Sequence, residues 1–582
     1  MKAVPTYALL ALVVVQLTCF LLYFPFSFNY SIDQIDQYYI ILLGTSLFLL
    51  QAVIIHFSGM GGYFKTGLVY SICVFLLLVL LLSKNYGFTN QDFTVYVSIV
   101  ITTLPLTLYP SKDLFALVWG AVTIGCVAEL IWGLKQYILG EPIMGTLRNT
   151  GIYSCYLVVH IPLLYSFYAS YIQTRISRPL RYGVVLSFFA SFLLLICQNK
   201  SRSAIFAFLL VNLFYFRHTL FIPISSYLRS GKRARAIGIL LGLIGLLLAV
   251  GFCDYLFQIK SASAQGRMLI WEVVLTHFRD YCRTGTGFGQ AVLHYPVWQA
   301  QYFANNPVPP KAFFLSADDT FIFYNDVLQL FVEIGILPFV LLGICITLFF
   351  TTAARNDTLT GVLMGILVCS FTTYPLHVPY LIFICFFAFV SLSVKTSPDG
   401  NRGARIPFLG MFCVTLSVAV LVLYSVFPKA RAVRALATGA PSGNDRLVNL
   451  RRQFPALNKD GKYLVQLGGA LVDNNDLQEG IYYLREGGEK VVGYQSVFLL
   501  ASACERSNKV DESISGYQFL SDYIPARFAP KYALLNLYLI KNDTPDALKM
   551  ARVILDMPVK VASFSVDEIK SDVLMKYHAI KK

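Results

Sequence analysis

The sequence predicts an all-α protein: a polytopic membrane domain of about thirteen transmembrane helices, followed by a C-terminal helical-repeat domain. Three observations predict it. Of 582 residues, 56% are hydrophobic and only 14% charged, against roughly 45–50% and about 25% in soluble globular proteins. Apolar runs of the roughly 20 residues a bilayer requires recur from the N-terminus to about residue 427. From Gly461 onward, charge returns to ordinary density and helical periodicity appears without any span-length run.

Candidate spans run about 5–27, 37–57, 66–83, 93–110, 114–135, 151–171, 182–199 and 203–222, then 236–257, 326–350, 358–374, 378–394 and 406–427. The first is preceded only by Met1–Val4 and lacks an A-x-A-like end, so it reads as a span rather than a cleaved signal peptide. The net charge of +15 raises nucleic acid as a partner. Cytoplasmic loops rich in Lys and Arg explain it better, and no nucleic-acid partner is expected. With the N-terminus cytoplasmic, the inner loops take Arg175, Arg178, Arg181, Arg229, Lys232, Arg233 and Arg235 among others. The outer short loops keep only Lys84, Lys135, Arg148, Lys200 and Arg202. A loop at about 258–325 and everything after 428 then face outward. Twelve singly placed cysteines without a CxxC pair read as small buried hydrophobes.

The chain divides into a membrane domain over 1–427, a linker over 428–460 and a helical domain over 461–582. In the last, Leu467-Gly-Gly-Ala-Leu471, Leu500-Ala-Ser-Ala-Cys504 and Leu535-Asn-Leu-Tyr-Leu539 recur at spacings of 33 and 35. Each is followed by a polar turn and a second helix, carrying Ile481, Ile514 and Leu548 at spacings of 33 and 34. A period near 34 resembles a tetratricopeptide array, either a docking surface for a protein partner or a helical domain that packs on the membrane part.

Chemistry concentrates at the outer face. Arg202, in Gln198-Asn-Lys-Ser-Arg-Ser203, sits at the mouth between two spans, where a cation is costly unless paired or wet. Its planar fork suits bidentate phosphate contact, though an interfacial arginine can also snorkel to headgroups. The outer loop opens with Lys260-Ser-Ala-Ser-Ala-Gln-Gly-Arg-Met-Leu-Ile-Trp271, placing Lys260 and Arg267 on the same side. Gly285-Thr-Gly-Phe-Gly289 permits tight turns, and its N–H groups could hold an anion. The segment 316–335 then sets Asp318, Asp319, Tyr324 and Asp326 near the interface, with Asn325 and Gln329 on one helical face and Glu333 a turn deeper. For Glu333, as for Glu129 in the fifth span, a satisfied structural role is preferred over a buried acid. The seven histidines form no H-E-x-x-H or i,i+4 pair, and no D-x-D or P-loop occurs. Neither a metal site nor a cofactor is expected, nor an ATP-driven exporter.

The order of motifs resembles the O-antigen ligase/polymerase family. Its marks are N-K-S-R-S with Arg202, G-R-M-L-I-W with Arg267, G-T-G-F-G, and Y-N-D-V-L-Q-L-F-V-E-I-G, preceded by Gly145-Thr-Leu-Arg-Asn-Thr-Gly-Ile-Tyr153. The resemblance covers roughly 140–380, and with the appended repeats is similar to the branch found in Bacteroidetes-type bacteria. It implies a metal-independent glycosyltransferase of the bacterial inner membrane, with a fold related to the C-type glycosyltransferases and its C-terminal domain in the periplasm. Such an enzyme takes a glycan from an undecaprenyl-diphosphate carrier and passes it to an acceptor hydroxyl. The family's two diphosphate-holding arginines map to Arg202 and Arg267, with Lys260, Lys200 and Arg148 weaker members of the patch. Where many ligases carry a histidine before N-x-x-L-Q, this chain has Tyr324, so Tyr324, Asp319, Asp326, His377 and His294 all stand as candidates for handling the acceptor proton. The acceptor is lipid A–core in the leading reading, which makes lipopolysaccharide. The alternatives are a carrier-linked glycan, as in a polymerase, or a protein Ser or Thr. A non-enzymatic transporter of the same lipid is the reading of another class, and charges gathered at one face disfavour it.

Overall fold

The computed structural model describes residues 112–169, 178–217, 261–352, 356–395, 427–436 and 444–581, with isolated positions before residue 16 and at 420 and 424. The spans expected at about 37–57, 66–83, 93–110 and 236–257, most of those at 5–27 and 406–427, and Lys260 lie outside the described residues. Among the described residues every regular element is a helix.

Four helices open the described region: α1 (Lys112–Ile138), α2 (Thr150–Phe167), α3 (Arg178–Gln198) and α4 (Arg202–Tyr215). Of the described helices, the stretches Leu114–Ile138 and Thr150–Phe167 are long and apolar enough to cross a bilayer. α2 is the hub, touching α1, α3, α4 and α10 (Asp357–Ser370). In lipid there is little hydrophobic gain in bringing apolar helices together, so close backbone approach supplies the attraction. Gly361 and Gly365, one turn apart on α10, make that approach. A Cβ at Gly361 would lie 3.0 Å from Cγ of Pro162, and one at Gly365 would lie 3.3 Å from Cα of Val159, both on α2. The twelfth expected span becomes α11 (Pro379–Lys395).

Two expected spans differ from the sequence reading. The helix expected over 203–222 ends at Tyr215. The one expected over 326–350 is two helices, α8 (Asp326–Ile334) and α9 (Ile336–Thr352), broken at Gly335 with φ 75°. The break has a steric cause: a Cβ at Gly335 would meet the Arg283 carbonyl and the Gly285 nitrogen at 2.7 Å. α9 is apolar on every side, yet Leu337, Val340, Ile344 and Leu348 are exposed. A helix that is hydrophobic all round and uncovered by protein faces lipid.

The outer loop is largely helical. It holds α5 (Ser261–Thr276), a single turn at Phe278–Tyr281, α6 (Ala291–Asn305) and α7 (Lys311–Ser316), gathered on a core that includes Val273, Tyr281, Tyr295 and Phe323.

The tail is α12 (Asn444–Leu457) followed by three hairpins: α13 (Gly461–Asp473) with α14 (Leu477–Gly488), α15 (Tyr494–Arg506) with α16 (Val510–Tyr523), and α17 (Phe528–Ile540) with α18 (Thr544–Asp556). α19 (Phe564–Lys581) closes the array. Each hairpin turns through an asparagine in the left-handed region, Asn475, Asn508 and Asn542. Asn accepts that conformation because its short polar side chain bonds locally. Small residues let paired helices close: a Cβ at Gly480 would meet the Gly468 carbonyl at 3.0 Å, and one at Gly516 would meet the Ala501 Cβ at 2.9 Å. Leu484, Leu520 and Ile554 are fully buried, each contributing about 1.5–3 kcal/mol of transfer free energy.

Candidate functional site

The site begins with a segment of the chain that sequence reasoning valued for one residue only. Residues 371–378 join α10 to α11, and four helices attach to them. The Thr372 carbonyl accepts from Arg267 Nη1 on α5 at 2.5 Å and from Ser203 Oγ at the start of α4 at 3.5 Å. The Tyr374 hydroxyl accepts from Nδ2 of Asn149 at 3.2 Å. Asn149 is also the N-cap of α2, its Oδ1 receiving the N–H groups of Gly151 and Ile152 at 2.9 and 3.0 Å. Asp326 at the start of α8 accepts from Leu376 N at 2.7 Å and from His377 Nδ1 at 2.8 Å. The short connection therefore ties α5 and the N-terminal ends of α2, α4 and α8 to one another.

That arrangement brings the two sequence-predicted arginines together. Arg267 is half-buried with its guanidinium carbon 4.9 Å from the centroid of the Tyr324 ring, and the Tyr324 and Tyr374 rings stand edge to face at 5.6 Å. Burial pulls the pKa of Arg267 down; the adjoining Tyr324 opposes this, and the like charge of Arg202 adds to it. Arg202 is thus near enough for its charge to bear on Arg267. An arginine keeps its proton regardless, so the mouth retains cationic charge. Nε of Arg267 is buried with no hydrogen-bond partner among the described residues. An unmatched buried donor is costly unless a ligand meets it.

Three left-handed residues that are not glycine mark the same mouth: Arg148 (φ 55°), Lys200 (φ 51°) and Tyr324 (φ 52°). Each immediately precedes the cap of a helix, Asn149 for α2, Ser201 for α4 and Asn325 for α8. The N-termini of these helices carry partial positive charge, so the same turns that aim their side chains also add to the local positive field.

The remaining sequence candidates separate. His377 and Asp326 are paired, and Nε2 of His377 is met by Gln329 Nε2 at 3.2 Å, which fixes the tautomer with the proton on Nδ1. Gln329 also donates to Glu333 at 3.0 Å and accepts from Phe323 N at 3.2 Å. Glu333 is accordingly a satisfied structural polar, as is Glu129, which accepts from Thr146 N and Oγ1 at 3.1 and 2.5 Å. Asp319 does not face the acceptor side as a free base. Its Oδ1 accepts from Tyr494 N and from the Tyr523 hydroxyl in the tail, both at 2.9 Å. His294 stacks on Trp298 in the outer loop.

The glycine run at 285–289 is a correction. Thr286 N donates to the Val332 carbonyl and Gly287 N to the Glu333 carbonyl, each at 2.9 Å. These donors cap the C-terminus of α8 and hold no anion. Sequence reasoning missed Thr372 and Tyr374. The only local signal was the Pro-containing break between two apolar runs.

Beside Arg267 lies a cavity of about 240 Å³, whose lining includes Gln299, Ser316, Asp319, Thr320 and Tyr324. Hydroxyl, amide and carboxylate groups next to a fixed cation are suited to a polar ligand carrying both hydroxyls and negative charge. Residues 185–343 match the family model described as O-antigen ligase. This region is similar to the O-antigen ligase family. The match runs from within α3 to within α9 and so contains Arg202, Arg267 and the cavity wall. No characterised protein and no solved structure matches the chain. The O-antigen ligase assignment and the apolar helices together make the chain a membrane protein.

Proposed function

We propose that the chain transfers a glycan from undecaprenyl diphosphate to an acceptor hydroxyl at the periplasmic face of the inner membrane, with lipid A–core as the acceptor. The observation that carries the reading is the juxtaposition of Arg202 and Arg267 at the mouth, with the unmatched Nε of Arg267 beside the cavity. The acceptor oxygen attacks the anomeric carbon of the carrier-linked sugar. The bond from that carbon to the diphosphate oxygen breaks, its electron pair stays on the diphosphate, and the acceptor's hydroxyl proton is released to water. Charge grows on the leaving group, and pre-placed arginines stabilise it there without reorganising. Tyr324, packed against Arg267, is assigned to orienting the acceptor hydroxyl. Asp326 and His377 are assigned a positioning role, since both hold the segment whose Thr372 carbonyl receives Arg267.

A protein acceptor is the second reading, favoured by the helix-hairpin array standing next to the cavity. Arrays with a period near 34 resemble tetratricopeptide domains and bind peptides. The test is a deletion strain complemented with the wild-type chain, Arg202→Ala or Arg267→Ala, with lipopolysaccharide gels and glycoprotein blots run side by side. Either variant should lose at least about a hundredfold in transfer at unchanged membrane abundance. Full activity in either would remove the diphosphate assignment. Loss from core lipid supports the ligase, whereas loss from glycoprotein alone moves the acceptor to protein.

A further inference from the structure

Part of the cavity wall is the segment 316–324, whose residues 317–324 have no regular structure between α7 and α8. Its C-terminal end is anchored in the loop core, where Phe323 is buried and its carbonyl accepts from Trp271 Nε1 at 2.8 Å; around Asp318 and Asp319 it is also held by the C-terminal array. Asp319 Oδ1 accepts from both Tyr494 N, at the start of α15, and the Tyr523 hydroxyl, at the end of α16. Gln299 on α6, itself in the cavity wall and buried, donates to the Tyr523 carbonyl at 2.7 Å. Arg527 bonds Asp318 at 3.0 Å and lies 4.3 Å from the centroid of the Tyr494 ring, while Lys560 reaches the other oxygen of Asp318 at 3.9 Å. Apolar contact backs these bonds: Ala300 packs with Tyr523 and Ile524, and Phe314 joins the core around Phe528.

The exposed ion pairs at Asp318 contribute little. Asp319 differs, because its partner Tyr523 is fully buried, and charge-assisted bonds from buried donors are the strong kind. Burial and the adjoining Asp319 carboxylate push the Tyr523 hydroxyl well above the usual phenol range, so it remains a donor to that carboxylate.

We propose that the C-terminal array is a working part of the transfer site, and that Tyr523, acting through Asp319, is a positioning residue that sets the acceptor-side wall of the cavity beside Arg267. The positioning role rests on the transfer reading given above; the tether itself does not. An acceptor hydroxyl entering between Arg267 and segment 316–324 must meet the donor sugar within a few tenths of an ångström, and misplacement on the order of 1 Å costs about a hundredfold in rate. A wall held by the array can be displaced without touching either arginine.

The experiment uses the full chain in nanodiscs, with undecaprenyl-diphosphate-linked glycan as donor and lipid A–core as acceptor. Tyr523→Phe keeps the ring and removes only the hydroxyl. The control is Tyr517→Phe, which removes a bond to Glu505 made wholly within the array. Two quantities are read: amide exchange over 316–324, and the kinetic constants for each substrate separately. Tyr523→Phe should speed exchange in 316–324 and lower kcat/KM for the acceptor about tenfold, with the donor KM unchanged. Tyr517→Phe should do neither. Unchanged exchange in Tyr523→Phe would overturn the tether. Faster exchange with unaltered acceptor kinetics, or equal effects from both variants, would overturn the positioning role. A wild-type chain that transfers nothing would defeat the transfer reading and the positioning role with it, while exchange would still decide the tether.

Discussion

The outer mouth of the membrane domain and the C-terminal array meet the same two physical problems and resolve them differently. Both contain non-glycine residues in the left-handed region. The array uses asparagine each time, at 475, 508 and 542, where the conformation costs little. The mouth uses Arg148, Lys200 and Tyr324, for which it is strained. Both also bury a cation against backbone carbonyls. Lys531 in the array donates to Ser521 O and Pro525 O at 3.2 and 2.7 Å, and burial lowers its pKa to about 8, so it can shed its charge. Arg267 donates to Thr372 O, retains its charge and leaves Nε unmatched. The array thus lets its buried cation neutralise, whereas the mouth keeps both its charge and an unmatched donor.

The sharpest way to break this comparison is through glycine. Gly335→Ala at the mouth forces a left-handed alanine against the backbone of Arg283 and Gly285; it should cost at least about 3 kcal/mol and strip the protein from the membrane. Gly469→Ala in the array meets only Leu499 Cδ1 at an ordinary 3.5 Å, and should stabilise by about 0.5–1 kcal/mol through helix propensity. Immunoblots of membrane fractions and thermal melts measure both. Similar losses in the two variants would erase the distinction.

The buried lysine offers a pH test. Between about pH 8 and the ordinary lysine value near 10.4, the unfolded chain binds a proton that the folded chain lacks, so stability of the array rises with pH there, by up to about 1.4 kcal/mol per unit. Below pH 8 both states hold the proton and the cost of burying the charge is constant. Lys531→Met should flatten the rise, read by amide exchange in α17 across that range. A rise that persists in the variant would assign it to another group.

Smallest is the effect of relieving the turns. Lys200→Gly, at an exposed position, should raise the melting temperature by the equivalent of about 1 kcal/mol. Asn508→Ala should lower array stability by about as much and leave transfer unaltered. If Lys200→Gly destabilises, the left-handed turn there holds no strain.

Much of the site was legible because it lies in short contiguous motifs. Arg202 and Arg267 announce themselves as cations at the outer ends of apolar runs. The break at Gly335 was hidden, since one glycine inside a long apolar run reads equally well as part of a span. Its cause is the glycine run at 285–289, some fifty residues earlier in the chain, and that run looked like an anion cradle until its N–H groups were found on the carbonyls of Val332 and Glu333. The hold on Asp319 was hidden for a related reason: a carboxylate near a site suggests a base, and only the folded chain shows Tyr494 and Tyr523 bonded to it. The helical period of the array was visible, and its asparagines at 475, 508 and 542 repeat at the same interval. The close packing of Gly361 and Gly365 on α2 was also written in the G-x-x-x-G spacing.

The bond between Gln299 and Tyr523 joins residues 224 apart in sequence. A ribosome therefore delivers one wall of the cavity long before the domain that steadies it. Until the last hairpins fold, Gln299 lacks the Tyr523 carbonyl and Asp319 lacks both Tyr494 and Tyr523. A chain terminated before Tyr523 would keep both arginines yet lack those bonds, so on the positioning role proposed above a nonsense codon late in the gene is expected to be as damaging as one near the middle.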